Sequence, residues 1–166
     1  MEIKIYEKNM AKRLRGRSFE ISLITDAVIS SILRGLNLNR VHVVFAGGGN
    51  FIILAPATAE NVSKLAEADE MINRFLNNQY SGKLGLVIAE HILDKDGMKD
   101  FSKASSDLKV KTSVQKNRKF RTILSPEFFG PHDFNEDASD ICPVCGRDYE
   151  KGSGDACTFC EQQVKL

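Results

Sequence analysis

The sequence predicts an α+β chain with a ferredoxin-like β-α-β-β-α-β core, an additional helix and a small C-terminal ribbon built on four cysteines. Three observations predict it. Two apolar strand-like runs, Val41 to Ala46 and Phe51 to Ala55, are joined by Gly47-Gly48-Gly49-Asn50, a hairpin signal. Apolar residues recur at helical spacing on either side of it. All four cysteines fall at the C-terminal end, as Cys142-Pro143-Val144-Cys145 and Cys157-Thr158-Phe159-Cys160.

The elements follow in order. Ile3 and Ile5 alternate with Lys4 and Tyr6 in a short first strand. From about Ser18 to Leu36, Phe19, Leu23 and Ala27, with Ile24, Val28 and Ile32, keep helical spacing, and Gly35 lies near the end. After the hairpin, Pro56 ends the second strand and Thr58 is placed to cap a helix beginning near Ala59. There Val62, Leu65, Ile72, Phe75 and Leu76 make one apolar stripe. Ser81-Gly82 turns the chain into Leu84-Gly85-Leu86-Val87-Ile88-Ala89, short and apolar enough for a buried strand. Residues 98–124 read as a further helix with Met98, Phe101 and Leu108 inside and a basic end, Lys116-Asn117-Arg118-Lys119-Phe120-Arg121. Pro126, Gly130 and Pro131 punctuate a linker. The organisation expected is a core domain with the basic helix at 1–126, a linker at 127–137 and the cysteine module at 138–166.

A chain of 166 residues suits one core-forming domain plus a small appendage. No apolar run approaches the roughly 20 residues that span a bilayer, and Met1-Glu2-Ile3-Lys4 opens no signal peptide. A cytoplasmic protein with no membrane partner is expected. The net charge of +1 hides an asymmetry. Residues 1–17 and 99–121 are basic, whereas the tail from Glu127 onward is acidic apart from Arg147, Lys151 and Lys165. One surface is thereby suited to phosphate. Solvated helix faces account for the same charges equally well.

Two Cys-x2-Cys pairs in a reducing compartment read as a tetrahedral zinc site rather than disulfides or a redox pair. Gly146 follows the first pair, as such knuckles favour, and the 11 residues between the pairs suffice for a ribbon loop. Four thiolates leave zinc no open position for water, so Cys142, Cys145, Cys157 and Cys160 are expected to hold a structural ion.

The strand–turn–strand is also that of palm-type nucleotidyl transferases and diguanylate cyclases, which carry acidic side chains at the turn for catalytic metals. Here the turn reads Ala46-Gly47-Gly48-Gly49-Asn50-Phe51 and holds no carboxylate. Paired divalent ions need oxygen anions to fix them, so no catalytic residue is assigned.

Several segments together resemble the large subunit of type III-A CRISPR effector complexes, the Csm-type large subunit. They are Leu14-Arg15-Gly16-Arg17-Ser18-Phe19, Phe45-Ala46-Gly47-Gly48-Gly49-Asn50-Phe51 with Pro56 beyond, and Arg118-Lys119-Phe120 ahead of Cys142-x2-Cys145-Gly146. In that family an HD nuclease domain, a first palm, a zinc module and a second palm follow one another. The second palm bears the Gly-Gly-Asp-Asp motif that makes cyclic oligoadenylates from ATP. This chain looks like the first palm and zinc module, and the expectation is a fragment of a larger subunit. His42 and His91 have no adjacent Asp, and His132-Asp133 sits in the linker without the other residues of an HD site.

The resemblance implies that Gly47, Gly48, Gly49 and Asn50 face a nucleotide or the second palm, with ATP bound between the two. Glycines needed for turn geometry alone, with Asn50 in a turn position, are the alternative. Arg13, Arg15 and Arg17, and likewise Lys116, Arg118, Lys119 and Arg121, suit phosphate or a solvated helix end. The function expected is a non-catalytic palm and zinc-binding segment of an RNA-guided antiviral complex. Its expected partners are the rest of the large subunit, the other subunits, and crRNA or target nucleic acid. By resemblance, the full-length subunit is a single-strand DNA nuclease and cyclic oligoadenylate synthetase. The alternative is a stand-alone single-stranded nucleic-acid-binding module; an active cyclase conflicts with the missing acids.

Overall fold

A 26-residue helix, α1 (Met10–Gly35), opens the chain in the computed structural model, which describes residues 9–80, 82–129, 140–146, 148–149 and 156–165. The first strand expected at Ile3–Tyr6 lies outside the described residues. Helical periodicity is present in α1 as expected, but its burial is uneven. Val28, Ile29, Ile32 and Leu33 are buried, whereas Phe19 and Leu23 are half exposed. The helix ends at Gly35, as expected from the sequence, and Asn37 caps it. Asn37 adopts the left-handed conformation at φ 53°, with its N–H bonded to the Arg34 carbonyl at 3.2 Å and the Leu38 N–H to Leu33 at 2.8 Å. This pair of bonds satisfies the last carbonyls of the helix.

The hairpin forms as predicted. Strands β1 (Val43–Gly47) and β2 (Asn50–Ile53) pair through a two-residue turn. Gly48 and Gly49 have φ of 59° and 78°, the two positive values that match the twist of an antiparallel pair. The pairing continues to Leu54, whose N–H bonds the His42 carbonyl at 2.9 Å.

Thr58 caps α2 (Ala59–Tyr80), its Oγ1 accepting from the Asn61 N–H at 3.2 Å. Ile72, Asn73 and Leu76 form its buried face; Val62 and Phe75, assigned to the stripe from spacing, are exposed. Exposed carboxylates one turn ahead of Lys64 and Arg74 pair with them at 2.7 and 2.8 Å, contacts along the helix surface that solvent weakens.

Two sequence expectations are corrected beyond this point. Among the described residues, Leu84–Ala89 forms no strand. Its central backbone is engaged by a side chain instead: Asn73 Oδ1 accepts from the Leu86 N–H at 2.8 Å and Nδ2 donates to the Leu86 carbonyl at 3.1 Å. A buried amide thus takes the place of a ladder partner. The helix expected over 98–124 is divided into α3 (Lys95–Lys99) and α4 (Phe101–Lys116). Asp94 and Asp100 each cap a helix, accepting from Gly97 N at 2.7 Å and Lys103 N at 3.1 Å. Asp competes with the helical backbone in this way and favours caps over interiors. Met98 and Phe101 are exposed, and Ala104 is the buried residue of α4. Beyond Lys116 the chain passes through Phe120 in the left-handed region, φ 67°. Its ring covers Gly85, where a Cβ would stand 2.7 Å from Phe120 Cε1 and 2.8 Å from Lys119 Cε.

The cysteine module holds the two-residue strands β3 (Asp140–Ile141) and β4 (Asp148–Tyr149), antiparallel with Asp140 opposite Tyr149 and Ile141 opposite Asp148. Helix α5 (Thr158–Lys165) closes it. Most of the expected linker, residues 130–137, lies outside the described residues.

Contacts divide the chain into two units. One gathers the described residues of Met1–Ala27, Phe45–Ile52 and Gly130–Leu166; the other holds Val28–Val44 and Ile53–Phe129. No helix among the described residues is long and apolar enough to cross a membrane.

Candidate metal centre

The cysteine cluster is built by three short pieces of chain. Cys142 leaves β3, Cys145 ends the following turn, and Cys157 and Cys160 stand at the start of α5. Gly146, at φ 66°, returns its N–H to the Cys142 carbonyl at 2.8 Å and so closes the first knuckle. Ala156 and Cys157 pack with Cys142 and Cys160, flanked by Val144, Tyr149 and Phe159. Cys142 and Cys160 are fully buried, at 1% and 0% exposure.

The four sulfurs lie within 4.8 Å of one another, and those of Cys145 and Cys157 are 3.5 Å apart. A tetrahedral ion with metal–sulfur bonds of about 2.3 Å requires edges of about 3.8 Å. The cluster therefore fits one metal ion with only small adjustments. Among the described residues no other group of three or more His, Cys, Asp or Glu converges in this way.

The electrostatics favour a thiolate at one corner. Burial works against ionisation of Cys142, yet N–H groups of Cys157, Cys145 and Val144 outweigh it and bring the thiol down to about 6. The Cys157 N–H lies 3.3 Å from its sulfur. Burial, then the neighbouring sulfurs, push Cys160 well up, and burial also raises Cys157. At neutral pH these two thiols hold protons that an incoming cation must displace. Metal affinity should therefore weaken as pH falls, by at least about a hundredfold per pH unit, the slope set by the two protons displaced from Cys157 and Cys160 alone. It should weaken more steeply below about pH 6, where Cys142 also protonates. Competition titration with a chromophoric chelator between pH 6 and 8 reads this slope; a flat profile would contradict it.

The remaining candidate residues are placed separately. In the hairpin, positive φ occurs at Gly48 and Gly49 but not at Gly47. A Cβ at Gly48 would meet open space, and one at Gly49 would come 3.2 Å from Ile21 Cγ2. Asn50 is exposed and its Nδ2 donates to the Gly48 carbonyl at 3.2 Å, so the side chain steadies the turn. Arg15 and Arg17 are exposed on α1, and Arg17 Nε donates to Gln163 Oε1 at 3.1 Å. Lys116, Arg118, Lys119 and Arg121 are exposed in the other unit. Lys119 Nζ donates to the Gly82 carbonyl at 3.1 Å and lies 4.5 Å from the Phe120 ring centroid.

Sequence reasoning missed Gln163, which is buried and bonded to both Arg17 and Glu20. The one available signal was Gly16, a glycine inside a helical run, which marks a close approach of another backbone.

Residues 3–133 match the family model described as Csm1 subunit domain B. The chain belongs to the Csm1 domain B family. The Cas10/Csm1 single-strand-specific deoxyribonuclease of the subtype III-A CRISPR system of Thermococcus onnurineus is 32% identical over 155 residues, 90% of this chain and 19% of the relative. Two crystal structures of Csm1-Csm4 cassettes are also similar. The one in complex with one ATP has a TM-score of 0.61 at 32% identity, covering 71% of this chain and 17% of that one. The one in complex with cA4 has a TM-score of 0.60 at 33% identity, covering 68% and 16%. The chain thus spans about a fifth of the length of the curated relatives it matches.

Proposed function

We propose that the chain is the first palm and zinc module of a type III-A CRISPR large subunit, a non-catalytic half of an ATP site. Within it, residues 1–126 serve as the palm and 138–166 as the zinc module. The observation that carries this reading is the hairpin. Its turn closes on Gly48 and Gly49 with a bare, open surface at Gly48, and residues 43–55 contain no carboxylate. Such a turn admits a ligand or a neighbouring domain closely while offering no anion to position Mg²⁺. The similarity to a cassette bound to ATP supports a nucleotide as the molecule approached. Two palms then share the work: this one shapes the pocket, and a second, acid-bearing palm supplies the metal ligands. A ferredoxin-like palm arrangement is part of the proposal, with the extended segment Leu84–Ala89, held by Asn73, in place of its last strand. Zinc is assigned to the cysteine cluster because four thiolates are its preferred structural set. A Csm4-like subunit and the rest of the large subunit are the proposed partners, supported by the cassettes' composition; guide or target nucleic acid is proposed on the exposed basic segments alone.

The chain incubated with labelled ATP and Mg²⁺ should give no turnover, and hairpin residues should become protected by ATP only when an acid-bearing second palm is added. Turnover by the chain alone would refute the assignment. Free single-stranded DNA or RNA should bind the chain weakly. If binding instead proves strong and falls by about 10³ between 50 and 200 mM salt, the phosphate-contact reading of the basic segments gains.

A further inference from the structure

We propose that metal held at the cysteine cluster clamps the first half of α1 through Gln163, so that occupancy of the cluster sets the order of the helix bearing Arg13, Arg15 and Arg17. The inference rests on the metal reading above and adds a mechanical consequence to it.

The clamp is visible in three contacts. Cys160 and Gln163 are three residues apart on α5 and share one face, both buried, at 0% and 3% exposure. The Gln163 amide uses both ends: Oε1 accepts from Arg17 Nε at 3.1 Å and Nε2 donates to Glu20 Oε2 at 2.8 Å. Each bond has one charged partner and is correspondingly strong. Beneath them the two backbones touch. A Cβ at Gly16 would stand 2.9 Å from the Gln163 carbonyl carbon and nearer still to its oxygen. Glycine is the residue that fits there.

Two further facts turn these contacts into a dependence. Among residues 10–27, Gly16 is the sole buried position, whereas the later turns of α1 are anchored by Val28, Ile29, Ile32 and Leu33. The first half of the helix therefore has little apolar burial of its own. Helix α5 is eight residues long, below the length at which a helix holds itself in water. Ligation through Cys157 and Cys160 supplies its order. Losing the ion frees α5, α5 releases Gln163, and Arg17 loses the partner that holds its guanidinium.

Amide hydrogen exchange on the full chain tests this, with metal content measured in parallel. Removing the ion with a chelator should accelerate exchange across residues 11–22 by about tenfold or more while leaving 29–36 unchanged. Gln163→Ala should retain one metal per chain and accelerate the same stretch several-fold. Gly16→Ala should act in the same direction by pushing α5 away. A chain that binds no metal overturns both the zinc assignment and the clamp. A chain that binds one metal and exchanges alike at 11–22 with and without it, or with and without Gln163, overturns the clamp alone.

Discussion

Cys160→Ser should abolish stoichiometric metal binding and unfold the segment from Asp140 to Lys165 while leaving α2 and α4 intact. The sulfur replaced lies in a fully buried side chain, and a serine hydroxyl does not ionise to take its place near neutral pH. Three thiolates remain around an ion that needs four. The module has little else to hold it. Its ladder has two residue pairs, its closing helix eight residues, and its buried core consists largely of the cysteines themselves. Structural zinc in comparable small modules supplies an apparent 10–16 kcal/mol, roughly the whole of their folding energy. Metal analysis together with heteronuclear NMR reads the outcome. Dispersed resonances for Ala156–Lys165 in a metal-free Cys160→Ser chain would show that packing alone folds the module, against the expectation.

Asn73→Ala should lower the stability of the larger unit by about 2–5 kcal/mol. Asn73 is 1% exposed and satisfies both backbone groups of Leu86, while its Nδ2 also reaches Asp69 Oδ1 at 2.9 Å. Truncation leaves the part-buried N–H and C=O of Leu86 without partners, each costing up to about 1–3 kcal/mol. The carboxylate of Asp69, already disfavoured by burial, loses one of its donors. Asn73→Asp keeps an acceptor for the Leu86 N–H but repels its carbonyl and Asp69, so it should be no milder than alanine. Asn78→Ala, at an exposed position of the same helix, should cost less than about 0.5 kcal/mol. Urea unfolding followed by circular dichroism gives these differences. A loss at Asn73 as small as that at Asn78 would mean the extended segment is held by something other than this amide.

The two predictions fall on opposite sides of what local sequence conveys. The cysteines were legible because metal ligation imposes a spacing that few other functions share. The hairpin was legible for a related reason: two consecutive positive φ values at a two-residue turn nearly demand glycine. Thr58 before Ala59 was legible because an N-cap is a contact within three residues. In each case the partner that explains the residue lies close by in the chain or repeats its own chemistry.

Asn73 and Gln163 carried no such mark. An Asn in a helix and a Gln beyond a cysteine pair are ordinary, and their roles depend on backbone or side chains 13 and 143 residues away. The apolar pattern misled in the same way. Phe19, Leu23, Val62, Phe75, Met98 and Phe101 keep the spacing of core residues yet are exposed in the described chain, since periodicity marks a face without saying what covers it.

By itself the sequence determined the turn, the Thr58 cap, the set of four cysteines and the absence of acids at the hairpin. These are properties of short stretches, where steric limits and ligand chemistry leave few choices. The tertiary structure alone decided that Leu86 is paired by an amide instead of a strand, and that Gly16 makes room for α5. Each of those depends on two distant segments meeting, and the energy gained there outweighs the local preference that either segment expresses alone.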